Sequence, residues 1–287
     1  MAARAPHKAV TLRMFPDDMP TLRRVEIARE AGFEAVELNL EPWQEFSLDT
    51  PEDEMRGLRR DIEARRMRVS AVYDREQWHF PMSSRDPKTR EHCTRIIERL
   101  AAAAVTMGAD TVLVMPGAVD NTILAPHPEI VPYAEAYENS LDVLRRLAGS
   151  AGEKHRVHLV AENCPSKFLV TPLEFARFLD EIGSEWVAAC FDIGNALWYG
   201  FPEHWIPVLG SRLRRVHVKD NRVAGGAVTA TPLLAGDVNW PAVRGELEAL
   251  RYDSWLTAEV LPAYRWHGER LIHDTAAAMD AIFGSGR

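Results

Sequence analysis

The chain has 287 residues, with 34 Lys and Arg against 42 Asp and Glu, for a net charge of −8. The length fits one large α/β barrel or two ordinary domains, and 46% hydrophobic residues supply a sizeable core. The acidic balance speaks against a nucleic-acid backbone or an anionic membrane as main partner, while a phosphorylated small molecule stays open because a local site can be positive on an acidic protein.

Short runs rich in Val, Leu and Ala alternate with longer amphipathic stretches. The first run is 9–14, and a helical pattern at 20–31 follows and stops at Gly32. The run 33–38 leads to a helix at 51–65, with Thr50 as N-cap and Glu52, Asp53 and Glu54 in the first turn, where the helix dipole favours negative charge. The run 68–73 precedes a long helix at 86–107 that stops at Gly108. The run 111–115 is followed by a long loop, 117–132, and a helix at 133–149. The run 156–162 precedes a helix at 171–182, with Thr171 as cap and Pro172 at its first position. The run 186–192 leads to a short helix at 202–209. The run 213–219 leads through a second long loop, 221–239, to a helix at 240–250. The run 255–260 and a helix at 269–283 close the series.

Strands alternating with helices imply parallel βαβ units, and eight of them in this length imply closure. The expected fold is a single (β/α)8 TIM barrel over residues 1–287. The bland alternative is an open doubly wound sheet. A dinucleotide-binding sheet of that kind would carry GxGxxG after its first strand, and none is present. Cys93, Cys164 and Cys190 form no CxxC pair, which suits a reducing compartment. Residues 1–8 lack the apolar core of a signal peptide, and no apolar run is long enough to span a membrane. A soluble cytoplasmic protein is expected, with a homo-oligomer left open.

In such a barrel the chemistry sits at the C-terminal strand ends. The fifth run ends in Glu162, the sixth in Asp192, the seventh carries His217, and the eighth carries Glu259. A lone acid at a strand end is ordinarily half of a salt bridge. Three carboxylates gathered at one level are costly to bury without a cation. With one imidazole they make a hard, mostly oxygen set, suited to one divalent ion: Mn²⁺ or Mg²⁺ first, Co²⁺ or Zn²⁺ as alternatives.

The segments Gly32-Phe-Glu-Ala-Val-Glu-Leu38, Phe191-Asp-Ile-Gly-Asn195, Val216-His-Val-Lys-Asp220, Gly236-Asp-Val-Asn-Trp240, Tyr252 and Trp255-Leu-Thr-Ala-Glu259 give the chain a resemblance to the xylose-isomerase-like TIM barrel superfamily. This is the group of sugar phosphate isomerases and epimerases that also holds the family 2 AP endonucleases. The resemblance runs over nearly the whole chain. It implies a metal-dependent isomerase or epimerase of ketose-type or related polyol carbonyl substrates, working through an enediolate. It implies Glu162, Asp192, His217 and Glu259 as ligands of one ion, and Glu162 and Glu259 as the acid/base pair. Three positions depart from the family's pattern. Asn195 stands where many relatives have His, Phe168 where many epimerases have Glu, and Leu234 where Gly is common. These bear on the substrate rather than on the metal.

Among other residues, Lys219 shares a strand face with His217 and is placed to bind a substrate oxyanion or carboxylate, or else pairs with a nearby acid. Arg222 could clamp a phosphate or carboxylate, against a solvated loop arginine. Glu37 faces the mouth from the second strand, for a substrate hydroxyl or a structural network. Asn195 and Trp198 complete the expected substrate contacts, and Trp43, Trp78 and Trp266 lie in loops that share the mouth. His158, deep in the fifth run, reads as a core histidine. An endonuclease with three zinc ions lacks ligands here, because neither the third nor the fourth run ends in His. The runner-up is a dehydratase of the same superfamily acting on an inosose or dehydroshikimate-like substrate. It would use the same metal but expel a β-hydroxyl. A non-catalytic sugar-binding barrel is the third reading.

Overall fold

The structure, a computed structural model, describes residues 7–122, 128–261 and 264–284. The chain runs β1 (His7–Thr11), α1 (Thr21–Ala31), β2 (Ala35–Asn39), α2 (Glu52–Ala64), β3 (Arg68–Tyr73), α3 (Glu76–His79), α4 (Pro87–Met107) and β4 (Thr111–Val114). It continues through α5 (Tyr133–Leu147), β5 (His158–Glu162), α6 (Pro172–Ile182), β6 (Val187–Asp192), α7 (Ile193–Ala196), α8 (Pro202–Leu209) and β7 (Leu213–Val218). It ends with β8 (Asp220–Ala224), β9 (Ala227–Thr231), α9 (Trp240–Ala249), β10 (Trp255–Ala258) and α10 (Gly268–Phe283). Eight parallel strands close in the ring order β1-β10-β7-β6-β5-β4-β3-β2, which is the expected TIM barrel.

Strand parity separates two cores. On β5, Leu159 and Ala161 face outward into the apolar layer under the helices, while Val160 faces inward with Tyr73, Leu113, Met115 and Cys190. The period of two then turns Glu162 inward, one layer above Val160. On β7 the inward positions are Arg215, His217 and, just past the strand, Lys219. Arg215 closes the bottom of the barrel by donating to Asp110 at 2.5 Å and to the Ser254 hydroxyl at 2.7 Å. A register shift between Ala189 and Cys190 sets Asp192 directly opposite His217.

The helices form where the sequence signals place them. Residues Met55, Leu58 and Ile62 make the buried stripe of α2. Thr171 caps α6 by accepting from the Glu174 N–H at 3.3 Å. Thr50 does not cap α2. Its hydroxyl accepts from the Ser47 N–H at 2.9 Å, and Pro51 stands at the cap position without a side-chain bond. The first strand also stops earlier than its apolar run, because residues Leu12–Met14 turn into a 3-10 helix. His158 sits only partly buried at the start of β5, its ring 5.2 Å from that of Trp186, and is not a core histidine.

The larger departure lies within 221–239. The expected loop contains an antiparallel hairpin, β8 and β9, running from Asp220 opposite Thr231 to Ala224 opposite Ala227. Gly225 and Gly226 form its turn at φ 57° and 81°, the geometry that two-residue hairpins require and glycine supplies. Part of the expected loop 117–132 falls at 123–127, outside the described residues. Among the described residues no helix is long and apolar enough to cross a membrane.

Candidate metal centre

Glu162, Asp192, His217 and Glu259 converge at the C-terminal mouth of the barrel, each offering one ligand atom, with those atoms all within 4.8 Å of one another. All four are buried. Glu162 ends β5, Asp192 ends β6, His217 is the inward residue of β7, and Glu259 directly follows β10.

The imidazole decides what this group can hold. His217 Nε2 lies 3.1 Å from Glu37 Oε2 across the barrel. A carboxylate there fixes the hydrogen on Nε2 and leaves the Nδ1 lone pair pointing the other way. Nδ1 is buried and has no hydrogen-bond partner, although Glu162 Oε1 and Glu259 Oε2 each lie 3.3 Å away. Three carboxylates and an imidazole nitrogen converge within 4.8 Å of one another. The donor set fits a hard divalent ion.

Asp192 is held from behind. Its Oδ1 accepts the Asn195 N–H at 2.7 Å. Its backbone N–H donates to Asn163 Oδ1 at 2.7 Å, and its carbonyl accepts from Asn163 Nδ2 at 2.9 Å. The Asn195 side chain donates to the Asn163 carbonyl at 3.0 Å. Burial pushes the Asp192 carboxyl up to about 7, against the pull of Lys219.

Two cations reach into the cluster. Lys219 Nζ lies 3.4 Å from Asp192 Oδ2 and 3.5 Å from Glu259 Oε2. Burial works against its ammonium, yet Asp192, Glu259 and Glu162 hold it above its ordinary value. Arg13, in the 3-10 turn after β1, donates from Nη1 to Glu259 Oε1 at 2.7 Å. Burial opposes charge on Glu259, but Lys219 and Arg13 outweigh it and hold the carboxyl well below the usual carboxylate range.

The structure thus brings Lys219, Asn195 and Glu37 to the cluster or to its immediate support. It does not bring Arg222 there. That side chain is exposed on β8, donates to the Ala235 carbonyl, and comes within 4.0 Å of Asp237. Trp198 follows α7 on the mouth side and is half-exposed. Sequence reading misses Arg13, which lies inside the first apolar run, and Asn163, which lies one residue beyond Glu162. For Asn163 a signal existed: a buried amide beside a ligand-bearing strand end can lock the neighbouring strand. Leu234 has φ 70°.

The family described as Xylose isomerase-like TIM barrel matches residues 25–282. The chain belongs to this family. A protein from Haemophilus influenzae, provisionally named L-ribulose-5-phosphate 3-epimerase, is 21% identical over 211 residues, 72% of this chain and 71% of that protein. Among solved structures, an L-ribulose 3-epimerase superposes with TM-score 0.79 at 16% identity, covering 98% of this chain and 96% of its own. The D-psicose 3-epimerase of Clostridium cellulolyticum H10, solved with D-tagatose, gives 0.77 at 14%, covering 97% of this chain and all of its own. A family member from Mycobacterium smegmatis in complex with magnesium gives 0.74 at 17%, covering 98% of this chain and 97% of its own. At these identities the likeness to the solved structures is one of fold.

Proposed function

We propose that the chain is a metal-dependent sugar isomerase or epimerase that moves a proton at a carbon beside a ketose-type carbonyl. Glu162, Asp192, His217 and Glu259 hold one divalent ion, Mn²⁺ first among the candidates and Mg²⁺, Co²⁺ or Zn²⁺ behind it. The carrying observation is the buried, unpartnered Nδ1 of His217, directed by Glu37 toward Glu162 and Glu259. The names of similar proteins, 3-epimerases of D-psicose, L-ribulose and L-ribulose 5-phosphate, agree with it.

The bound ion supplies Lewis acidity to a carbonyl and its neighbouring hydroxyl. The chain does the rest. Glu162 and Glu259 form the acid/base pair: a carboxylate oxygen of one takes the proton from the carbon, and the other returns a proton to the opposite face. The Lys219 ammonium, held charged, lies where an oxygen gaining negative charge needs a donor. Glu37 acts through His217, which it orients, rather than on substrate. Trp198 offers an apolar wall at the mouth.

A second reading, loss of a β-hydroxyl from an inosose or dehydroshikimate-like substrate, is favoured by the inequality of the two glutamates. Only Glu259 has a guanidinium on one oxygen. A screen of ketoses, inososes and keto acids in D₂O tests both readings. Metal-dependent deuterium uptake into an isomeric sugar is expected. Uptake with loss of water would select the dehydratase, and no uptake with any metal would refute proton-transfer chemistry.

A further inference from the structure

We infer that the N-terminal end of the barrel carries a second binding site, which takes the phosphate group of a small phosphorylated metabolite. A cavity of about 490 Å³ opens there, at the end opposite Glu162, Asp192, His217 and Glu259. That volume lies within the range of small-molecule pockets, roughly 300–1,000 Å³. The residues that begin the strands build it. Arg68 opens β3, Trp255 opens β10, and Arg214 and Arg215 follow the first residue of β7. Asp110 stands directly before β4, and the segment 251–254 joins α9 to β10. The walls are held from within the chain. The Tyr252 hydroxyl donates to the Trp255 carbonyl at 2.7 Å. The Arg215 side chain is 5% exposed, and its Nη1 donates to the Ser254 hydroxyl at 2.7 Å.

Charge decides what the cavity takes. Four guanidinium groups, those of Arg68, Arg214, Arg215 and Arg251, face two carboxylates, those of Asp110 and Asp253, an excess of two positive charges on a chain of net charge −8. Asp110 is fully engaged: Oδ1 accepts from Arg215 Nη2 at 2.5 Å and Oδ2 from Arg214 Nη2 at 2.8 Å. Arg68 and Arg251 make no ion pair among the described residues. The Arg68 guanidinium lies over the Trp255 ring, 4.7 Å from its centre. Contact through the flat face leaves the N–H groups at its edge free for an oxygen acceptor. Arg251 is exposed and sits at φ 56°, a backbone that glycine or asparagine takes more readily, so the turn itself gives no reason for an arginine. Two guanidinium groups with free N–H donors match the two charges of a phosphate monoester.

Titration calorimetry with glycerol 3-phosphate and with inorganic phosphate tests this, at constant ionic strength and with EDTA present so that no metal ion at the mouth can hold the phosphate. The ester should bind with a Kd of about 1 mM or tighter. It should also bind more tightly than inorganic phosphate, because the cavity extends beyond one phosphate group. Arg68→Gln and Arg251→Asn should each weaken the ester about tenfold, the loss of one charge-assisted contact. Asparagine suits the backbone at 251, so that variant keeps the turn. Asp253→Asn removes a competing carboxylate and should tighten binding about threefold, a gain that a folding defect would not produce. If Arg68→Gln does not fold, the variants at 251 and 253 carry the test. Absence of saturable binding, or unchanged affinity in Arg251→Asn and Asp253→Asn, would overturn the site. Inorganic phosphate binding as tightly as the ester would overturn the metabolite as its ligand.

Discussion

The stem of Lys219 crosses Gly194 so closely that a β-carbon at Gly194 would lie 2.7 Å from Lys219 Cγ and 2.9 Å from its Cβ. These residues come from different segments, the turn after β6 and the end of β7. The glycine is there to let the lysine pass. Gly194→Ala is expected to lose about 1–3 kcal/mol through overpacking. Lys219→Gly removes both contacts, so the double variant should recover about 1 kcal/mol relative to the sum of the singles. Urea unfolding of the four proteins measures that coupling. Simple additivity would mean that the two side chains do not compete for this space.

Glu37 and His217 make the next expectation. Glu37→Leu keeps an apolar volume but removes the acceptor that fixes the imidazole hydrogen. Metal affinity should fall about 10- to 100-fold with the fold intact, as for other partners that orient a liganding histidine. Equilibrium dialysis with Mn²⁺ reads it, and unchanged affinity would assign Glu37 to the substrate instead.

Asp74, directly after β3, is buried, and its Oδ1 accepts the Glu76 N–H at 2.8 Å. Burial pushes its carboxyl up to about 7. The fold therefore favours the protonated form. That contribution is full below about pH 4, where the unfolded chain is also protonated, and is lost as pH rises toward 7. Asp74→Asn keeps the acceptor and cannot ionise. The variant should gain on the unaltered protein between about pH 5 and pH 8 in urea midpoint. An equal difference at both pH values would show that Asp74 does not titrate in this range.

Leu234 carries a side chain at φ 70° and is more than half exposed. A left-handed leucine is strained by about 1–2 kcal/mol, while glycine gives back part of the gain as entropy of the unfolded chain. Leu234→Gly should stabilise the protein by about 0.5–1 kcal/mol in thermal or urea unfolding. A loss would mean that the leucine packs more than its exposure suggests.

The barrel was legible because eight apolar runs of strand length alternate with capped amphipathic helices, and no long-range information is needed to count them. The four ligand residues were legible for a related reason: parity along a strand and the shared level of strand ends bring them together. What sequence periodicity cannot register is a break inside an apolar run. Residues 12–14 continue the first run in composition but turn out of the strand, and Arg13 reaches Glu259 only because they do. The hairpin β8–β9 was missed although Gly225-Gly226 stands between β-branched residues, because charged and small residues hid the alternation. Glu37 was read as facing the mouth, but its partner, His217, is 180 residues away and visible only once the ring has closed.

Glu162, Asp192, His217 and Glu259 are expected to form one metal centre. Elemental analysis of protein loaded with Mn²⁺ and dialysed tests it most directly, with His217→Ala and Asp192→Ala treated in parallel and their folding checked by circular dichroism. About one equivalent is expected in the unaltered protein and little in either folded variant. No metal in the unaltered protein, or the same content in all three, would contradict it.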